Sequence, residues 1–262
     1  MKNKEGQKSG LKLKTTWRFL QALLGIVIFL VLWHMLSLTT RSIPTPFETI
    51  KRLVTIWPTE IKRLSFTGHI LTSLLRVFIA LVLGCLVGIP LGVWMGWNKK
   101  FRAIIKPLFE TIRPVPPLAM VPLFTLWFGA NDLARVMIVF FGVLMPITVN
   151  ASAGVEMVPP INIDVGRIFG ADKRILFFDV VMPSSIPAIL AGVRLALSSG
   201  FAVLLAAEMI SARSGIGFLI ISGSNFGDLG LSIVGMIVLG LMGALFAICF
   251  DLLERRLCPW MR

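Results

Sequence analysis

The sequence predicts an all-α fold, a polytopic membrane bundle of about six transmembrane helices. Of its 262 residues, 56% are apolar and 15% are charged, and the mean hydropathy is +0.87. A water-soluble domain carries about 25% charged residues, so this composition excludes an ordinary soluble globule. The 15 Pro and 23 Gly residues lie largely inside apolar runs, which is common in transmembrane helices and unusual in soluble ones.

Six apolar stretches are candidates for spanning helices, because about 20 apolar residues cross the ~30 Å hydrocarbon core. In chain order they are Phe19–Leu38, Ile70–Trp97, Pro114–Phe128, Leu133–Val149, Ser185–Ile210 and Leu231–Phe250. The first is longer than a signal-peptide core of about 7–15 residues, so an uncleaved span is predicted. The third is short and rich in proline. Charged residues interrupt the second and the fifth.

Basic residues divide unevenly between the segments that connect these spans. With the N-terminus in the cytoplasm, 17 of the 26 Lys and Arg residues fall in cytoplasmic segments and seven in outside segments. This bias agrees with the positive-inside rule, so both termini are predicted to be cytoplasmic, with residues 1–18 as a tail and 19–262 as one transmembrane domain. Orientation thus explains the formal charge of +13, and no nucleic-acid partner is expected.

One outside segment, residues 41–63, is an exception because it holds five basic residues. The apolar residues between those charges have the spacing of an amphipathic helix that lies at the membrane interface: Phe47, Ile50, Leu53, Val54, Ile56 and Trp57. Its basic face is expected in solvent or near lipid headgroups. Steering of a substrate is the alternative.

A long connection, residues 159–184, is unlike a plain membrane loop because it is mixed in charge and patterned. The prolines Pro159–Pro160 stop the preceding helix. Asn162 or Asp164 can cap a new helix, which is predicted over Val165–Phe169.

The second half of this connection is also predicted to be ordered. Gly170 permits a turn, and a second short helix is predicted over Lys173–Val181. The connection carries more apolar side chains than a solvated hairpin needs, namely Ile168, Phe169, Ile175, Leu176 and Phe178. A docking surface for another subunit is therefore favoured, and packing of the segment against its own bundle is the alternative.

At this connection the sequence resembles the membrane permeases of binding-protein-dependent ABC importers. Their cytoplasmic "EAA" loop has Glu-Ala-Ala, a Gly four positions after the last Ala, nine residues, and then Ile-x-Leu-Pro. Here Asp164, Val165 and Gly166 occupy the triplet, Gly170 is the glycine, and Val-x-Met-Pro ending at Pro183 closes the pattern. Two of the triplet residues depart from the family, because Val and Gly replace the alanines.

Three further segments are similar to the nitrate/sulfonate/taurine-type permeases of this family. They are the proline-rich run Arg113–Gly129, the segment Ala207–Ile220 after the fifth span, and the tail Leu252–Trp260. The four matches follow one another in the family's order between residues 113 and 260. The chain is thereby identified as a member of this inner-membrane family, with a fold like that of type I ABC importer permeases.

The resemblance implies a set of partners for the chain. Two cytoplasmic ABC ATPase subunits would bind ATP and Mg²⁺, a second permease copy would complete a homodimer, and an extracytoplasmic solute-binding protein would deliver a sulfonate, taurine, nitrate or a similar anion. Residues 159–184, hereafter the coupling segment, would meet the ATPases through Asp164, Val165, Gly166, Arg167, Gly170 and Pro183. The chain has no G-x-x-x-x-G-K-[ST] motif, so no catalytic residue and no cofactor of its own are expected.

Ionisable residues inside the spans are candidates for the translocation pathway, because each costs about 2.5–3.5 kcal/mol at a helix centre. Arg76 is near enough to the outer end of its span to extend to the interface. Arg194 lies deeper, where contact with an anionic cargo or pathway water is one interpretation and a structural role is the other. Glu208, near the outer end, is predicted to belong to a gate or to the pairing surface, since 14 residues (about 21 Å) separate it from Arg194.

Prolines in the third span break helical hydrogen bonding at membrane depth, which is tolerated only where protein or a cavity surrounds the backbone. Pro116, Pro117 and the nearby Met120 are therefore predicted to face the pathway or the partner permease, with plain helix bending and packing as the alternative. The glycines of the second span that recur every four residues predict close helix packing: Gly84, Gly88 and Gly92.

Two other classes of function compete with an importer permease. A stand-alone secondary transporter or channel would need inverted repeats or proton-relay carboxylates, of which Glu208 is the single candidate. A membrane-embedded enzyme would need a cluster of reactive groups. With two histidines, His34 and His69, far apart in the chain and three scattered cysteines, no metal site is expected.

Overall fold

The computed structural model describes residues 2–40 and 43–258, and helices account for most of them. The elements are α1 Lys2–Thr40, α2 Pro46–Ile56, β1 Glu60–Ile61, β2 Leu64–Ser65, α3 Phe66–Trp97, α4 Lys99–Ile112, α5 Val121–Phe128, α6 Asp132–Glu156, α7 Pro160–Ile168, α8 Lys173–Ile175, α9 Met182–Ser211, α10 Ile216–Asn225 and α11 Leu229–Leu257. A 3₁₀ turn, Pro117–Met120, precedes α5, and a π-helical turn, Leu176–Val181, joins α8 to α9.

Among the described residues, five helical stretches are long and apolar enough to cross a membrane. They lie in α1, α3, α6, α11 and the continuous run Lys173–Ser211. The first, second, fourth, fifth and sixth predicted spans are thereby confirmed as helices. Each of them extends beyond its predicted bounds on at least one side, because polar end residues continue the helical hydrogen bonding.

The centre of the bundle is the close contact of α3 with α6. A Cβ built on Gly84 would meet Val143, one on Gly88 would meet Ile147, one on Gly92 would meet Ala151, and one on Gly96 would meet Val155. The partner in each pair lies 59 residues further along the chain, so the two helices run in the same direction. The glycines remove the side chains that would hold the helices apart, and the predicted packing role of Gly84, Gly88 and Gly92 is confirmed.

The helix α9 packs on α6 in the opposite direction. Gly142 faces Val203 near one end of the contact, and Gly154 faces Ala188 near the other. The helix α11 then runs antiparallel to α9, since the rings of Phe201 and Phe246 are 5.7 Å apart and Arg194 pairs with Asp251. Thus α3, α6 and α11 point one way and α9 the other.

This directionality defines the two ends of the bundle. We call the end that holds Trp97, Glu156 and Lys173 the basic end, because basic residues cluster there. Arg102 in α4 forms an ion pair with Glu156 at 3.2 Å, which fixes the ends of α3 and α6 together. The basic residues of this end are Lys99, Lys100, Arg102, Arg167, Lys173, Arg174, Arg255 and Arg256.

Because α3 and α6 are parallel, the chain must return across the bundle between them. The sequence predicts one helix over Pro114–Phe128 for this purpose, and that prediction is wrong in detail. The structure has a turn at 113–116, the 3₁₀ turn and the eight-residue α5, because prolines remove amide donors and disfavour helical geometry in the preceding residue. The return is therefore made by a short, irregular segment.

The helix α2 lies beside α11 at the opposite end and confirms the predicted amphipathic helix. Thr45 caps it, and the carboxylate of Glu48 accepts a hydrogen bond from the Thr45 backbone amide at 2.8 Å. That bond holds the pKa of Glu48 below its ordinary value. Arg52 pairs with Asp228 at the start of α11, and an apolar face is left exposed, with Phe47, Ile50, Val54 and Trp57 on it.

Two segments singled out in the sequence extend past the described residues. Arg41, the first basic residue of segment 41–63, lies outside them, as do the last two residues of Leu252–Trp260. The predicted tail is described from Lys2, where its backbone belongs to α1.

Candidate functional site

The coupling segment projects from the basic end as a helix, a sharp turn and the start of a long helix. The helix α7 ends at Ile168, and Gly170 follows with φ of +79°, a conformation that favours glycine. The amide of Ala171 donates to the carbonyl of Gly166 at 3.0 Å, which closes the helix end in the manner of a glycine C-cap. The predicted turn at Gly170 is confirmed.

Two predicted helix boundaries in this segment are wrong. The first helix starts at Pro160, with Pro159 as its N-cap, because proline is favoured in the first turn of a helix, and Asn162 and Asp164 lie inside it. The second helix is not a separate short element, since Lys173–Val181 continues without interruption into α9. Pro183 follows the π-helical turn Leu176–Val181 inside this continuous helix, where its missing amide leaves one helical hydrogen bond unmade.

The tip of the segment exposes large apolar side chains. Ile168 is 82% exposed and Phe169 is 85% exposed, whereas Leu176 is buried against the underside of α7. A Cβ on Gly166 would lie 2.6 Å from Leu176 Cδ2, so the glycine allows this contact. The face away from the bundle is left uncovered by the described chain.

The six predicted coupling residues lie together on this projection. Asp164 and Arg167 form an exposed ion pair at 3.3 Å on the surface of α7, and Val165 is exposed beside them. Gly166 faces the bundle. Pro183 lies farther back at the base of the segment, half-buried.

At the opposite end, Arg76 is the centre of a charge cluster whose other members are the buried Glu208 and Arg135 and the exposed Asp132. Its side chain is 3% exposed. Nη1 donates to Glu208 Oε1 at 2.6 Å, and Nη2 donates to Asp132 Oδ1 at 2.5 Å. Both nitrogens also donate to Ser214, one to its carbonyl and one to its hydroxyl, at 2.9 Å. The expectation that Arg76 extends to the interface is therefore wrong, because partners from α6 and α9 meet it in the bundle.

Glu208 is fully buried and satisfied on both oxygens. It accepts hydrogen bonds from the Ser73 hydroxyl and from the Gly217 amide, each at 2.9 Å, besides that of Arg76. Arg135 adds a second guanidinium, which donates to Asp132 at 2.9 Å. The two negative charges of the carboxylates thus equal the two positive charges of the guanidiniums. Pairing of this kind lowers the cost of burying charge.

Two further polar residues of α3 hold the turn between α9 and α10. His69 Nδ1 accepts from the Gly215 amide at 3.0 Å, and its Nε2 lies 3.1 Å from the Ile61 carbonyl. This geometry requires a neutral ring with the proton on Nε2. The Ser73 hydroxyl accepts from the Ile216 amide at 2.8 Å.

Sequence reasoning missed most members of this cluster. The signal was available in α3, because residues 69, 73 and 76 lie on one face of an otherwise apolar helix. The proximity of Asp132 and Arg135 to Arg76 could not be predicted from the sequence, since both residues lie at the start of another helix.

The environment of Arg194 differs from that of Arg76. Its Nη2 lies 3.0 Å from Asp251 Oδ1, and Arg194 also lines a cavity of about 400 Å³ between α9 and α11. The ion-pair partner of Arg194 is thus Asp251, which was not predicted from the sequence. The sixth predicted span ends at Phe250, but α11 continues to Leu257 and brings Asp251 to Arg194. As predicted, Arg194 and Glu208 are apart.

A larger cavity of about 560 Å³ lies between α6, α9 and the irregular return segment. Pro117 forms part of its wall, while Pro116 is exposed and Met120 is half-buried. The wall is mostly apolar, and its polar groups are Arg113, Asn150 and Ser199. Such a cavity, with few polar groups among apolar ones, is typical of small-ligand sites.

Metal ligation is not supported within the described chain. Among residues 2–40 and 43–258, no three His, Cys, Asp or Glu side chains are placed to hold an ion. The cysteines Cys85, Cys249 and Cys258 are free.

Known proteins give independent matches to this architecture. A family model described as the binding-protein-dependent transport system inner membrane component matches residues 88–262. The chain is 33% identical over 238 residues to the taurine transport system permease protein TauC of Escherichia coli K12, over 89% of this chain and 86% of that protein. It is 26% identical to the nitrate import permease protein NrtB of Leptolyngbya laminosa, over 94% and 90% of the two chains.

A solved structure supports the fold separately. The crystal structure of an amino acid ABC transporter superposes with a TM-score of 0.62 at 18% identity, over 82% of this chain and 100% of that chain.

Proposed function

Because this chain belongs to the family of binding-protein-dependent transport system inner membrane components, and so is the permease subunit of an ABC importer, we propose that separate ATPase subunits drive it by docking on the coupling segment. The observation that carries the proposal is the exposure of Ile168 and Phe169 at the tip. Exposed apolar side chains rimmed by charge mark a protein interaction site, and the Asp164–Arg167 pair supplies that charge.

The proposed cargo is a small solute with an oxyanion group, such as taurine, another sulfonate or nitrate. The names of the two relatives support this class. The cavity of about 560 Å³ has the size of a small-molecule site, and Arg113 in its wall supplies a positive charge. Alternating access would expose this cavity to one side of the membrane and then to the other.

The proposed assembly has two copies of this chain, two ATPase subunits and an extracytoplasmic solute-binding protein. The basic end would face the cytoplasm, because basic residues are retained there. ATP and Mg²⁺ would be bound by the ATPases, and this chain would hydrolyse nothing. A homodimer is favoured because one chain supplies one coupling segment for one ATPase.

Docking can be tested with paired substitutions at the two ends of the bundle. We expect the double variant Ile168→Asp with Phe169→Asp to lose co-purification of the ATPase, because two charges would enter an apolar contact. The matched control is Phe226→Asp, which is equally exposed but lies at the opposite end, and it should retain the ATPase. Gly170→Asp should abolish transport while membrane insertion persists, since the turn requires positive φ.

The competing function, a stand-alone secondary transporter or channel, predicts a different result. The purified chain in liposomes would then transport taurine or nitrate without nucleotide or partner subunits. The importer predicts that uptake requires the ATPase and the binding protein, and that cargo raises ATP hydrolysis by the assembled complex. Uptake at full rate by the isolated chain would refute the proposal.

A further inference from the structure

At the basic end, a cavity of about 530 Å³ opens between α3 and the first turns of the Lys173–Ser211 helix. Its wall is apolar and aromatic, with Val93, Trp94, Trp97 and Phe177. The rings of Trp97 and Phe177 are 5.3 Å apart and form the back of the groove, while Trp94 is 57% exposed at its side. The groove is thus built by two elements and open to the surroundings of the bundle.

The rim of this cavity carries two cations. Lys173 and Arg174 line it together, and neither forms an ion pair with any residue that the structure describes. Oδ1 of the adjacent Asp172 accepts from the amides of Arg174 and Ile175 at 3.0 and 2.8 Å, which holds this carboxylate at the helix N-terminus, and it forms no ion pair with either cation. The rim therefore offers positive charge to an anion from outside the chain.

The position of the cavity relative to the membrane surface indicates which class of anion would bind there. Trp97 is the last residue of the spanning helix α3, and tryptophan is enriched at the level of the lipid headgroups. The cations then lie at the phosphate level, and the apolar wall extends from there towards the hydrocarbon. An occupant must have an anionic head and an apolar body.

We propose that this groove binds an anionic phospholipid, with its headgroup phosphate between Lys173 and Arg174 and an acyl chain along Trp94 and Val93. Basic pockets between helices at a membrane surface bind such headgroups. The lipid would brace the turns that support the coupling segment, because Phe177 belongs to the π-helical turn and the neighbouring Leu176 packs under Gly166. That effect on coupling rests on the proposed function, whereas lipid binding itself does not.

Lipid retention by the purified full-length chain tests the proposal. The chain would be equilibrated with phosphatidylglycerol or phosphatidylcholine in mild detergent, and bound lipid would be counted by native mass spectrometry. We expect wild type to prefer phosphatidylglycerol. The double variant Lys173→Gln with Arg174→Gln should bind it roughly 30-fold more weakly, since each basic residue at an anionic lipid surface contributes about fivefold.

The matched control is Lys99→Gln with Lys100→Gln, an exposed basic pair of the same end that lies outside the lining of the groove, and it should bind like wild type. Equal retention of both lipids by wild type would overturn the proposal. So would unchanged retention by the Lys173/Arg174 variant, and if that variant instead lost the ATPase, the two cations would belong to the subunit interface. Because no ATPase subunit is present in the lipid-binding assay, its outcome is independent of whether the ATPase docks as proposed.

Discussion

Arg76 illustrates, at the scale of single residues, how a bilayer protein keeps a guanidinium inside its bundle. The side chain meets Glu208 and Asp132 from two other helices and the Ser214 carbonyl from a turn. Such a cluster is expensive to break because the remaining partner is left as an uncompensated buried charge. The cluster therefore ties three parts of the chain at one end of the bundle.

Arg76→Met should lower the free energy of unfolding by about 3–5 kcal/mol, because Glu208 would remain buried and unpaired. Adding Glu208→Leu should recover at least about 1 kcal/mol, since the charges of Asp132 and Arg135 still balance. Unfolding by denaturant titration in detergent measures both variants. The control is Lys106→Met, whose exposed pair with Glu110 is worth about 0.3–0.5 kcal/mol, and an equal loss there would contradict the expectation.

Helix contacts decide stability at the scale of elements. The α3–α6 contact depends on backbone atoms approaching closely at glycine. A Cβ on Gly92 would lie 2.4 Å from the Thr148 carbonyl oxygen, and a backbone atom cannot rotate away as a side chain can. The two helices would have to separate to accept even a methyl group.

Gly92→Ala should therefore destabilise the fold by about 1–3 kcal/mol, the usual cost of overpacking a close contact. The matched control is Gly25→Ala in α1, where no atom outside the neighbouring residues and the backbone of the same helix lies within 4 Å of the added methyl group. Thermal unfolding in detergent compares the two variants. A Gly92→Ala protein as stable as the control would show that α3 and α6 do not pack as described.

The sequence alone predicts elements better than it predicts their partners. Apolar length identifies five of the long helices, and the four-residue glycine spacing identifies the packing face of α3. The predicted helix boundaries were wrong where a proline could either end one helix or begin the next, as at Pro160. The partners of Arg76 and Arg194 could not be predicted, because they are brought close by the tertiary fold from positions 56 to 138 residues away.

The directions of the helices constrain the topology of the whole molecule. Since α3 and α6 are parallel, residues 98–131 must begin at one membrane surface and end at the other. The Pro117–Phe128 stretch is too short to cross as one regular helix, so α4 and the proline turns must supply part of the depth. Irregular backbone of this kind persists in a bilayer only where protein or a cavity surrounds it.

Single cysteines introduced at Lys100 and at Asn131 should therefore label from opposite sides of the membrane. The three native cysteines, Cys85, Cys249 and Cys258, would first be replaced by serine or alanine. An impermeant maleimide applied to right-side-out and to inverted vesicles reports the side of each position. Labelling of both positions from one side would refute a crossing between α3 and α6.

The continuous helix from Lys173 to Ser211 connects the coupling segment to the charge cluster around Glu208 at the opposite end of the bundle. Its 39 residues make a rod about 58 Å long, with the Gly170 bend at one tip and the carboxylate of Glu208 near the other. A tilt of about 5° moves one tip relative to the other by roughly 5 Å, more than the hydrogen bonds around Glu208 can stretch. If the proposed ATPase tilts this helix at its Gly170 end, the charge cluster around Arg76 and Glu208 must either move with the helix as one rigid body or break its hydrogen bonds.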